Sequence, residues 1–97
     1  MKMNIGKYRR IERKIEGLQD EIRQLGPVMR GSVTLMGNRH KQPYFSVGIQ
    51  KRTKVIYLGE KRAEKAREYV ANYRRLLQIA EEMTILNMEL LKLESPD

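Results

Sequence analysis

The sequence predicts an α+β fold: an N-terminal helix, a three-stranded antiparallel β-sheet, and a long C-terminal helix pairing with the first in an antiparallel, coiled-coil-like hairpin. Three observations predict it. Apolar residues recur at steps of 3, 4, 3, 4 and 3 through Tyr8, Ile11, Ile15, Leu18, Ile22 and Leu25, which is an a/d heptad seam. A second seam of alternating 4 and 3 steps runs through Tyr69, Tyr73, Leu76, Ala80, Met83, Asn87 and Leu90. Between the seams, short alternating runs separated by turn formers carry Lys and Arg but no acid over residues 31–57.

The first helix is expected over residues 5–25. It contains no Pro, and Gly26-Pro27 is a stop signal of the C′-glycine type. The basic sheet is expected over residues 31–58. Val28–Asn38 reads as its first strand, with Val33 and Leu35 alternating against Ser32, Thr34 and Met36. Tyr44–Ile49 is the second, with Phe45, Val47 and Ile49 on one face and Tyr44, Ser46 and Gly48 on the other. Thr53–Leu58 is the third, with Val55 and Tyr57 on one face and Lys54, Ile56 and Leu58 on the other; Gln50-Lys51-Arg52 makes the tight connection between them. Pro43, which cannot donate a ladder hydrogen bond, suits the start of a strand. The long helix is expected over residues 60–93, with Glu60 and Glu64 complementing its dipole. A helix of that length extends about 50 Å, so its second half needs helix one, a second copy, or both to cover it. There Ile79, Met83, Leu86, Leu90 and Leu93 widen the apolar face, as in a bundle.

Length and composition bound the function. Ninety-seven residues, 1–97, are expected to form one domain with a modest core. Without Cys there is neither a disulfide framework nor a thiolate metal site. No apolar run spans a membrane, and the basic N-terminus is followed by no apolar signal segment, so a cytoplasmic protein is expected. The net charge of +8 is uneven. Residues 1–14 carry six cations against Glu12, residues 31–57 carry five against none, and residues 76–97 carry Lys92 against five acids. Such positive segments favour a polyanionic partner over a merely solvated surface only where they are organised around a structure that displays them.

The candidate nucleic-acid-binding residues are Arg39, His40 and Lys41 in the first loop, Lys51, Arg52 and Lys54 at the hairpin tip and after it, and Tyr44. Arg9, Arg10, Arg13 and Lys14 form a second basic patch. A β-ribbon or small sheet is of a size to enter the DNA major groove, where Arg reads guanine edges and Lys reaches phosphates; the bland alternative is a tip charged for solubility and edge protection. Tyr44 has two roles open to it, core packing or ligand contact, by stacking on a base or hydrogen-bonding a phosphate. His40, the one histidine, is expected as a loop residue rather than a metal ligand, and no metal or other cofactor is expected. Tyr69 and Tyr73 are expected to cover the sheet. The candidate oligomerisation residues are Ile15, Leu18, Ile22, Leu76, Met83, Leu86, Asn87 and Leu90. Asn87 either fixes the register of the seam or sits at its solvated edge. No acid in the central segment can complete a catalytic arrangement, so no enzyme and no small-molecule substrate are expected.

The runs Arg30-Gly31-Ser32-Val33, Pro43-Tyr44-Phe45-Ser46, Thr53-Lys54-Val55-Ile56-Tyr57-Leu58, Asn72-Tyr73-Arg74-Arg75-Leu76 and Leu86-Asn87-Met88-Glu89-Leu90-Leu91 together resemble an uncharacterised prokaryotic domain of unknown function. Its members are small basic proteins that often accompany transposases and other mobile elements. The resemblance covers roughly residues 30–93. Members usually carry a Cys-rich segment where this chain has Thr34–Gln42, which is Cys-free, so any metal role of that segment is lost here. The order of three strands then a helix is also similar to the DNA-binding domains of phage-type integrases and of a class of plant transcription factors, an analogy of fold that does not establish function.

Together these readings predict a non-enzymatic nucleic-acid-binding protein, duplex DNA ahead of RNA, that forms a homodimer through its helices. The competing expectation is a structural or adaptor protein that docks a partner protein on the apolar helical face, with Met83 and Met88 as adaptable contacts.

Overall fold

The computed structural model describes residues 4–96. Its elements are α1 (Ile5–Gln24), β1 (Ser32–Met36), β2 (Gln42–Ile49), β3 (Arg52–Tyr57) and α2 (Gly59–Leu93). This is the expected α+β order, with α1 and α2 in contact. α2 is one helix of 35 residues. The chain divides into two compact units: α1 with the chain from Leu76 onward, and Gly26–Arg75.

In the helical unit, α1 starts at Asn4, whose side chain accepts from the Lys7 backbone N–H at 3.0 Å. This satisfies one of the donors a helix start leaves unpaired. α1 ends at Gln24, and Leu25 caps it in an extended conformation. Gly26 has no left-handed φ, so the expected C′-glycine stop is corrected. Gly26 instead precedes Pro27, which biases it to extended backbone, and a Cβ there would lie 3.2 Å from Asn72 Nδ2. The predicted α1 seam is the buried one: Ile11 and Ile15 are buried, and Tyr8, Leu18, Ile22 and Leu25 are half-buried. Antiparallel pairing brings the Tyr8 hydroxyl to donate to Glu94 Oε1 at 3.2 Å.

The second seam needs correction. Ala80 and Asn87 are exposed, while Ile79 is 0 % exposed and Leu76, Met83, Leu86, Leu90 and Leu93 are half-buried. At two levels the helix chooses between neighbours, Ile79 or Ala80 and Leu86 or Asn87. It turns inward the larger apolar side chain, which removes more surface from water. Asn87 therefore sits at the solvated edge.

In the other unit the strands lie in the order β1-β2-β3, all antiparallel. One face buries Phe45 together with Leu58 and the α2 residues Ala63, Ala66 and Val70; Met29, Val33 and Val47 pack around them. Tyr69 and Tyr73 are half-buried rather than central, which corrects the expectation that they cover the sheet. The small side chains of Ala63 and Ala66 bring the α2 backbone close to the Phe45 ring, and two tyrosines there would hold it off.

β1 is shorter than the Val28–Asn38 run. Residues 27–30 lie against α2 and β2 instead: Met29 N–H donates to Tyr69 O at 3.0 Å, Asn72 Nδ2 to Pro27 O at 2.9 Å, and Arg30 Nη2 to Gly48 O at 2.7 Å. Gly31 makes the change of direction. Its φ of +149° is closed to other residues, and a Cβ would meet the Phe45 ring at 2.5 Å.

Candidate nucleic-acid interface

Strand alternation and register assign each sheet residue to a face. Val33, Phe45 and Ile56 are aligned across the three strands on the α2 side. The opposite face carries Ser32, Ser46 and Val55 in one row and Thr34, Tyr44 and Tyr57 in the next, with Met36 beside Gln42 beyond them. Thr34, Met36, Val55 and Tyr57 are exposed, and Ser46, Tyr44 and Gln42 on the central strand are half-buried by their own neighbours. No side chain on this face is charged.

The centre of the open face is an aromatic pair. The Tyr44 and Tyr57 rings stand 5.4 Å apart at 66°, edge to face, a favoured aromatic geometry. The Tyr57 hydroxyl donates to Gln42 Oε1 at 3.4 Å. Of the two roles left open for Tyr44, neither core burial nor full exposure describes it: it packs on Tyr57 while remaining on the open face.

Cations gather at the two ends of the strands. The loop between β1 and β2 carries Arg39, His40 and Lys41, all exposed. At the other end, Gln50 and Lys51 form a two-residue turn in which both are left-handed, with φ of 51° and 65°, the requirement of a type I′ hairpin. Neither is the Asn or Gly that this turn favours, so the tip carries a strained Lys51 where a small residue would sit more easily. Arg52 follows, and Arg30 reaches the same end through its bond to Gly48 O. Arg52 and Lys54 pair with Ile49 and Val47, so they belong to the α2-side face at the exposed outer strand rather than to the open face. Arg9, Arg10, Arg13 and Lys14 are all exposed on α1, in the other unit.

Sequence reasoning missed several cations. Arg67 and Arg74 line a groove with Val33 and Val70 on the β1 side of α2, and Arg67 also borders Leu35, Lys41 and Glu60. Their seven-residue spacing beside the Ala63, Ala66 and Val70 stripe was a helical-wheel signal for this. Arg62 gives Nε to Leu58 O at 2.8 Å and Nη2 to Tyr57 O at 2.9 Å. Its guanidinium therefore clamps the junction of β3 and α2, and nothing local in the sequence marked that role.

The expected oligomerisation residues Ile15, Leu18, Ile22, Leu76, Met83, Leu86 and Leu90 are buried or half-buried within the helical unit. The chain's own helix pair already covers part of their apolar surface. At one end of that pair the Tyr8 phenol is raised above its ordinary pKa, by desolvation first, then by its hydrogen bond to Glu94 and the charges of Glu94 and Glu12. Among the described residues, no group of three His, Asp or Glu could hold a metal ion, and no helix is long and apolar enough to cross a membrane.

Comparison of the chain with protein-family models, with curated proteins and with solved structures gave no significant match.

Proposed function

We propose that this protein is a non-enzymatic DNA-binding protein that lays the open face of its sheet on duplex DNA. One observation carries this reading: an uncharged face of hydroxyl, amide and aromatic side chains, bracketed at both strand ends by cations, with no acid in residues 31–57. The outer strand axes lie about 10 Å apart and β2 is about 23 Å long, comparable with the roughly 12 Å width of the major groove. Along such a groove Ser32, Thr34, Ser46 and Gln42 meet base edges, and Val55 and Met36 meet thymine methyls. The cations at the strand ends, Arg39 and Lys41 in the first loop, Lys51 in the turn and Arg52 at the exposed start of β3, hold phosphates, which position without specifying sequence. The resemblance to proteins that accompany mobile elements makes transposon-end sequences the first duplexes to try.

The test is fluorescence anisotropy of labelled duplex titrated with the protein at several salt concentrations. Binding at micromolar protein or tighter, with a steep loss of affinity on adding salt, supports the reading. Absence of binding even at low salt rejects it. The adaptor reading then takes its place, since α2 exposes Leu77, Ile85, Met88 and Leu91.

A further inference from the structure

The helical unit has a second apolar face that α1 does not cover. Leu77, Ile85 and Met88 are each 52 % exposed and Leu91 is 68 % exposed. Leu77, Ala80, Thr84, Met88 and Leu91 fall within one stripe of α2, away from the Ile79, Met83, Leu86 and Leu90 side. A helix apolar on opposite sides is one that a larger assembly buries.

The spacing of the stripe says what covers it. Leu77 and Ala80 lie seven and four residues before Thr84, and Met88 and Leu91 lie four and seven after it. The stripe is a palindrome in spacing. A two-fold axis at the level of Thr84 sets Leu77 of one copy opposite Leu91 of the other, Ala80 opposite Met88, and Thr84 opposite itself. That is the self-complementarity a symmetric dimer requires. The small Ala80 is thus met by a methionine, the most adaptable apolar side chain.

Two details agree. Thr84 Oγ1 donates to Ala80 O of its own helix at 2.8 Å. The hydroxyl is thereby satisfied internally and Thr84 can turn its methyl to the axis without stranding a polar group. The charges are complementary only in the antiparallel sense. Glu81 and Lys92, eleven residues apart, lie on the same flank of the stripe. The two-fold brings each copy's Lys92 within about 7.5 Å, along the axis, of the other's Glu81, a reach a lysine side chain covers. Parallel pairing would put the Glu81–Lys92 flanks of the two copies on opposite sides of the pair, where neither charge meets the other. On that same flank Ile85 stands one residue past the axis and meets its counterpart.

We infer that the outer face of α2 is a homodimer interface, in which residues 77–91 of two copies pair antiparallel about Thr84. The inference is independent of DNA binding.

The absence of cysteine from the chain makes the register directly testable. Thr84→Cys is expected to form a disulfide-linked dimer under mild oxidation. Leu77→Cys and Leu91→Cys are expected to stay unlinked separately and to cross-link when mixed. Sedimentation of the unmodified chain is expected to give a dimer, and Met88→Glu with Leu91→Glu a monomer with unchanged helical content. A monomeric parent at its highest soluble concentration overturns the inference and leaves the stripe to a partner protein. Cross-linking of Leu77→Cys to itself, with none in the mixture, overturns the antiparallel register.

Discussion

Removing four cations at the strand ends of the sheet unit is the sharpest test of where the phosphates sit. The variant is Arg39→Ala, Lys41→Ala, Lys51→Gly and Arg52→Ala. All four residues are exposed and none belongs to the buried cluster, so stability should change by no more than about 0.5 kcal/mol per site. Glycine is used at 51 because that residue is left-handed, with φ of 65°. If each of the four neutralises one phosphate, the slope of log affinity against log salt falls by about 3.6. Between 50 and 200 mM salt the parent should then lose about 150-fold more affinity than the variant does. Anisotropy titrations of one duplex at both salts measure this. The control removes four cations from α1, Arg9, Arg10, Arg13 and Lys14, each to Ala. Equal losses of affinity and of slope in the two variants would refute the assignment to the sheet, because only net charge would then matter.

Four further outcomes test the fold. Ile79→Ala empties the best-buried side chain of the helix pair, and chemical denaturation should show a loss of about 2–5 kcal/mol. Gly31→Ala forces a Cβ into the Phe45 ring in a conformation reserved for glycine; a loss of about 3 kcal/mol is expected, and a neutral result would refute the close approach of Gly31 to Phe45. Gln50→Asn with Lys51→Gly relaxes the hairpin turn and should raise stability by about 1 kcal/mol. Tyr8 has a raised folded-state pKa, so its protonated form favours the fold. That contribution is complete below the unfolded-state value of about 10 and is lost as pH rises through the folded-state value. Tyr8→Phe should therefore flatten the fall in thermal midpoint at alkaline pH.

Local periodicity made much of this molecule legible. The 3–4 spacing of Tyr8 to Leu25 identified the face α1 buries, and alternation placed Phe45, Val47, Tyr44 and Tyr57 on their faces. What escaped depended on choices between adjacent residues or on distant partners. Extending a seam from Tyr69 led through Ala80 and Asn87, whereas the competition that matters is local, Ile79 against Ala80 and Leu86 against Asn87, and apolar area decides it. Val28–Gly31 looks extended, but Tyr69, Asn72 and Gly48 fix its course, and Gly48 is the closest of these in sequence at 18 residues from Arg30. For the candidate interface, the charge run was visible as a count. Its division between two strand ends became visible only once the hairpin turn was placed at Gln50-Lys51.

The hydrogen bond from Asn72 to Pro27 O closes a long stretch of chain into a loop. Residues 26–75 are continuous in sequence, whereas the helical unit draws on both ends of the chain. Left to themselves, the two halves of that unit must close a loop of some fifty residues, an entropic cost of about 3.5 kcal/mol. Asn72 ties the first and last turns of the intervening segment together, so folding of 26–75 removes that cost before α1 meets its partner.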